Sequence, residues 1–174
     1  LNKIKLQTKL KPGKESQKFI RDYISHINWL KNNNFSLKYI CCLYATAPFV
    51  KVDDLKKGFK LIKKQSKERF VFSATNFSFP IQRAIKLNNN GISSMFYPEN
   101  FNTRSQDLEN AYHDAGQFYI AHPSIWINQE NLFEDSLPLL IPNWRVQDID
   151  EEDDWERAEM LHQILEKKNW NKVL

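Results

Sequence analysis

Glycine and cysteine are both scarce in this chain, with four of the first and two of the second among 174 residues. None of the four glycines opens a Gly-rich phosphate-cradling loop, and no serine sits in a nucleophile-elbow context. Kinase, classical dinucleotide-binding and serine-hydrolase readings are thereby set aside. Cys41 and Cys42 are adjacent inside an apolar run, which excludes a disulfide framework or a zinc cluster and reads as a pair of buried strand thiols in a reducing compartment. Long apolar stretches are also lacking: the run "YICCLYA" falls far short of the roughly 18 residues of a bilayer span. No small-residue cleavage site follows a hydrophobic N-terminal segment. The expectation is a soluble, cytoplasmic protein without membrane contact.

What is present fits one globular domain over residues 1–174, with 41% hydrophobic and 26% charged side chains. The net charge of +4 conceals an asymmetry. Residues 1–70 carry 17 basic against 5 acidic side chains, and the remainder carries 8 against 16. The lysines of the basic half are scattered without interleaved aromatics or a recognition helix, so a nucleic-acid partner is not expected.

Residues 1–10 alternate briefly before a Pro-Gly turn, as a weak edge strand or a tail would. Over 15–30, Phe19, Ile20, Tyr23, Ile24, Ile27 and Leu30 recur at helical spacing. Residues 39–44 are continuously apolar, the pattern of a strand buried on both faces of a parallel sheet. Asp53 or Asp54 then caps a helix in which Leu55, Phe59 and Ile62 share a face, and "RFVFSAT" returns to a strand, completing a βαβ unit. Residues 84–87 and 92–97 flank "NNNG" as a hairpin. A polar stretch over 99–115 suits a binding loop or intersubunit arm, and "GQFYIA" and "LPLLI" read as further strands. A last helix begins near Asp150 and places Trp155, Ala158, Leu161 and Leu165 on one stripe. These elements predict a three-layer α/β domain with a mostly parallel central sheet and ligands beyond the strand C-termini.

Two groups of residues carry chemistry. In "VQDIDEEDDWERAEML", Asp148 and Asp150 flank one apolar residue. In extended backbone, period two turns both carboxylates to one side, where paired hard oxygens can hold Mg²⁺ against a triphosphate. The same residues also serve a purely local purpose, with Asp150 capping the helix and Glu151 to Asp154 favouring its positive end. The second group is Arg104, Gln106, Asp107, His113, Asp114 and Gln117. Its donors and acceptors suit a polyhydroxylated acid, with Arg104 offering a bidentate fork, and equally suit the internal hydrogen bonds of a polar arm. Gln82 and Arg83, between Pro80 and an apolar run, either face the same cleft or cap a strand.

The segments "CCLYATAPF", "FSFPIQRA", "FNTRSQDLENAYHDAGQFY" and "WRVQDIDEEDDWERAEML" together resemble the cytidylyltransferases that activate nonulosonic (sialic acid-like) sugars, over residues 39–165. The likeness is strongest to members acting on pseudaminic acid. It implies a Rossmann-like fold of the nucleotide-diphospho-sugar transferase type. It further implies Mg²⁺-assisted transfer of CMP from CTP to the sugar's anomeric hydroxyl, with release of pyrophosphate, in a homodimer. On this resemblance Asp148 and Asp150 are metal ligands, Tyr44 and Thr46 are walls of the nucleotide and sugar site, and the stretch from Arg104 through Gln117 shapes the sugar pocket. An excursion over about 84–115 is assigned to sugar binding and dimerisation. The family's Gly-rich basic loop, which grips the CTP phosphates, has no counterpart before Tyr39. The chain is therefore expected to be N-terminally truncated relative to the family, and an inactive homologue or a sugar-binding or regulatory module stands as the alternative.

Overall fold

The computed structural model describes residues 16–128 and 131–167. The alternation over residues 1–10 lies outside them. The elements follow in the order α1 (Ser16–Asn32), β1 (Ile40–Leu43), α2 (Val52–Lys63), β2 (Val71–Asn76), β3 (Ile85–Leu87), β4 (Ser93–Met95), β5 (Tyr112–Ala121), α3 (Pro123–Asn128), β6 (Leu137–Leu140) and α4 (Glu152–Lys167). Four strands form the main sheet in the order β1-β5-β2-β6, and β3 and β4 form a separate antiparallel hairpin.

The expected mostly parallel, Rossmann-like sheet is not what forms. β5 runs antiparallel to both β1 and β2, and only β2 and β6 pair in parallel. The chain does pass from strand to helix to strand through β1, α2 and β2, but β5 separates the two strands. Continuous apolar runs report burial, and burial on both faces is compatible with either strand direction. β1 departs further from expectation, because Cys42 is buried while Cys41 and Leu43 are exposed. It pairs with β5 alone among the described strands.

Side-chain alternation sorts the core into two clusters. Val71, Phe118 and Ile120 meet Ile62 of α2 on one face, with Leu55, Phe59, Leu137 and Leu139 packed around them. On the other, Cys42, Phe72, Ala74 and Tyr119 meet Tyr44, Leu132 and Trp126 of α3. Full burial of a side chain such as Phe118 or Ile120 contributes on the order of 1.5–3 kcal/mol. α2 approaches closely because residue 58 is glycine: a Cβ there would stand 2.9 Å from Ile120 Cδ1 and 3.2 Å from Phe118 Cε2.

The helix starts differ from the sequence reading. Lys51 occupies the N-cap of α2 without a side-chain cap bond, and Asp54 is instead buried against Arg145. At α4 the cap is supplied by Asp154, whose Oδ2 accepts the backbone N–H groups of Asp150 and Glu151, both at 3.3 Å. This is the returning half of a capping box, and Asp150 is not the capping side chain. Ala158 is buried on α4, whereas Trp155 is exposed and donates its indole N–H to Glu159 at 2.9 Å.

Candidate active site

β5 carries an irregularity that shapes the site. Phe72 pairs with Tyr119 and Ala74 with Asp114, so residues 115–118 stand opposite Ser73 alone. Gly116 takes up a positive φ of 60° in this bulge, a conformation that costs other residues because of their Cβ. Ser73 Oγ satisfies the displaced backbone by accepting the N–H groups of Gln117 (3.0 Å) and Phe118 (3.2 Å). The Tyr44 N–H, just past β1, donates to Gln117 O at 3.0 Å. The bulge thereby turns residues 113–116 toward the segments that leave β1 and β6.

An open cleft of about 500 Å³ lies there, lined by Tyr44, His113, Asp114, Ala115, Gly116, Tyr119, Val146, Gln147, Asp148, Asp150 and Asp154. Asp148 and Asp150 are on its wall together, with Ile149 between them half-buried. The Asp148 carboxylate rests over the bulge glycine, its Oδ2 3.2 Å from where a Cβ at residue 116 would be. Its Oδ1 accepts the Ile149 N–H at 3.1 Å. Gln147 stiffens the segment by donating to Asp154 Oδ1 at 3.0 Å and to Asp148 O at 2.8 Å. Among the described residues no group of three or more His, Cys, Asp or Glu could hold a metal ion.

Asp114 faces the same space with both oxygens engaged. Oδ1 accepts the Gly116 N–H at 2.9 Å, and Oδ2 accepts the Tyr119 hydroxyl. The Tyr119 and Tyr44 rings meet tilted, with centroids 5.2 Å apart. Burial first, and then the bond to Asp114 and its charge, raise the Tyr119 phenol far above its ordinary value. Burial also raises Tyr44. Both phenols keep their protons at neutral pH, and that of Tyr119 is spent on Asp114. His113 donates Nδ1–H to Asp114 O at 2.8 Å and stacks edge-on against Phe77.

Of the residues singled out in the sequence, the cleft gathers Tyr44, His113, Asp114, Asp148 and Asp150. Gln117 is buried behind it, its amide donating to Arg145 O at 2.8 Å. Thr46 is half-buried in the turn after β1 and is not among the lining residues. Arg104 donates through Nε to Asp107 Oδ2 at 2.7 Å, on the exposed arm, and Gln106 beside them is also exposed. Arg83 holds the arm by donating to Phe101 O at 2.9 Å and to Thr103 O. Gln82 does likewise through Glu109 O at 3.1 Å. Tyr119, Gly116, Gln147 and Asp154 were not singled out. Gly116 had a signal in the sequence, as one of only four glycines, set inside a strand pattern.

This geometry can be set beside known proteins. Over 140 residues the chain is 42% identical to the pseudaminic acid cytidylyltransferase of Campylobacter jejuni serotype O:2, covering 79% of this chain and 60% of that protein. The chain is homologous to the pseudaminic acid cytidylyltransferases. The same-named enzyme of C. jejuni serotype O:23/36 is 41% identical over the same shares of the two chains. A Helicobacter pylori protein, named as a pseudaminic acid cytidylyltransferase and UDP-2,4-diacetamido-2,4,6-trideoxy-beta-L-altropyranose hydrolase, is 34% identical over 110 residues, 63% of this chain and 21% of its own. This homologue thus spans about 60% of the length of the Campylobacter enzymes. No protein-family model matches it. No helix among its described residues is long and apolar enough to cross a membrane.

Proposed function

We propose that this chain carries the metal-side wall of a cytidylyltransferase that transfers CMP from CTP to pseudaminic acid. The observation that carries the reading is the shared position of Asp148 and Asp150 on one cleft wall, in a homologue of enzymes of that name. In the reaction the sugar's anomeric hydroxyl oxygen bonds to the α-phosphorus. The bond from that phosphorus to the bridging oxygen of the β-phosphate breaks, pyrophosphate leaves, and the hydroxyl proton is released.

The donor set fits Mg²⁺, which typically takes one or two carboxylates and completes its shell with water and substrate phosphate oxygens rather than with an all-protein cage. Asp148 and Asp150 are the residues that would hold it, and it would supply neutralisation of the charge on the transferring phosphate. The remaining wall acts through its own atoms. Tyr44 brings a hydroxyl to the wall facing a polyhydroxylated acid, and Tyr119, whose proton goes to Asp114, presents its oxygen as an acceptor there, held in place by an Asp114 carboxylate with both oxygens committed. No Lys or Arg is among the lining residues described, so the cationic partners of the CTP phosphates are to be sought outside this wall.

A homodimer is part of the proposal. The arm over 84–115 displays Ile85, Leu87, Ile92, Phe96 and Phe101 to solvent, an apolar set that a second subunit would cover. The reading is tested by pyrophosphate release and Mn²⁺ binding with the 174-residue chain, CTP and pseudaminic acid. Both should depend on Asp148 and Asp150. A folded chain that neither releases pyrophosphate nor binds Mn²⁺ in an Asp148-dependent way overturns it, and saturable sugar binding without metal would favour a sugar-binding module instead.

A further inference from the structure

Arg145 and Asp54 form a buried ion pair, with Nη2 2.7 Å from Asp54 Oδ2 and side chains only 3% and 7% exposed. Arg145 Nη1 also donates to Phe49 O at 3.4 Å, and the Arg145 carbonyl accepts the Gln117 amide at 2.8 Å. One residue is therefore tied to the first turn of α2, to the turn after β1 and to the bulge of β5. Those connections bring Tyr44, Gly116 and, three residues further along, Asp148 to the cleft.

A buried ion pair is a poor source of stability, because desolvating both ions offsets their attraction, and an apolar pair of similar size often serves as well or better. This pair even leaves Arg145 Nε without a partner among the described residues. What a guanidinium supplies that an apolar side chain does not is direction, since its planar fork fixes the angle at which partners meet. Lys57, 3.8 Å from Asp54 Oδ1, is largely exposed and adds only a loose second cation.

We infer that the Arg145–Asp54 pair is a positioning device that sets the segment 146–150, and with it the Asp148 carboxylate, against the β5 bulge. For its consequence in metal binding this rests on the proposed role of Asp148; for the placement of the segment it does not.

The test uses the full 174-residue chain carrying Asp54→Leu and Arg145→Met together, which removes both charges and leaves neither unpaired. Thermal unfolding should be unchanged or shifted upward. Amide hydrogen exchange over residues 146–150 should quicken while the β2 and β5 core stays protected, and Mn²⁺ affinity should fall by about 10- to 100-fold, as when the outer partners of metal ligands are removed. Arg145→Lys should restore part of the protection. If the double variant does not fold, Asp54→Asn is used for the exchange and Mn²⁺ measurements alone, since it leaves the Arg145 charge unpaired and lowers the unfolding temperature. Protection over 146–150 equal to that of the unaltered chain overturns the inference. An unaltered chain whose Mn²⁺ binding is indifferent to Asp148→Asn sinks the metal reading alone, and the exchange measurement still decides the positioning role.

Discussion

The Asp148 carboxylate lies where a side chain on residue 116 would have to go: Oδ2 is 3.2 Å from the place a Cβ on Gly116 would occupy. That glycine also stands at φ 60°, so the position disfavours other residues on two separate grounds. The Asp148 wall of the cleft and the β5 bulge are thus fitted to each other at a single backbone atom.

Gly116→Ala should accordingly disturb both partners. The left-handed conformation costs an alanine about 1–2 kcal/mol, before any displacement of Asp148. Urea unfolding should report a loss of that order, accompanied by weaker Mn²⁺ binding. A variant with unaltered stability and Mn²⁺ affinity would show that the bulge and Asp148 are not coupled.

Gly58→Ala sets two effects against each other. Alanine is favoured in a helix interior by about 1 kcal/mol, whereas forcing a methyl into a filled core costs about 1–3 kcal/mol. The atoms it would meet, at 2.9 and 3.2 Å, belong to Ile120 and Phe118, both fully buried. They have little room to yield, so packing should win and the melting temperature should fall. A rise on heating would mean that α2 shifts away from the sheet at little cost.

Cys41 is exposed, yet burial around its sulfur, together with neighbouring Cys42, raises its thiol to about 11. The thiolate is the reactive form, so at pH 8 only about one molecule in a thousand is poised to react. Alkylation by iodoacetamide, followed by mass spectrometry, should be slow at pH 8 and climb about tenfold per pH unit toward 11. A rate that levels off below pH 9 would contradict this.

Ile85→Lys combined with Leu87→Lys tests the arm. Both side chains are more than half exposed, so the charges should leave the subunit's own unfolding transition in place while light scattering shifts from dimer to monomer. If the unaltered chain is already monomeric, the arm has some other use.

How much of this could be read from sequence varied with the range of the interaction. β2, α2 and the β3–β4 hairpin follow from local pattern, because alternation, helical spacing and an Asn-Gly loop act over a few residues. Asp148 and Asp150, adjacent but one in sequence, both line the cleft. Sheet order was not legible, since the apolar runs of β1 and β5 say nothing of which strand lies beside which. The bonds that Arg83 makes to Phe101 O and Arg104 makes through Nε to Asp107 were not legible either. Asp54 looks like a cap and is instead spent on Arg145, 91 residues away. Such pairings depend on which distant segments the fold brings together, and no window of sequence contains them.

The strand order also constrains when the sheet can exist. β1 and β2 are made early and share no hydrogen bonds; each waits for β5, which supplies the partner of one and the antiparallel partner of the other. During synthesis β1 and β2 therefore expose strand edges that, among the described strands, wait for β5, and for β6 on the far side of β2. Nascent chains stopped before Tyr112 should be open to protease and prone to association, and chains extended past Ala121 should lose part of that sensitivity, the rest going once β6 is made. A stopped chain that already resists protease would show that some other pairing shelters those edges first.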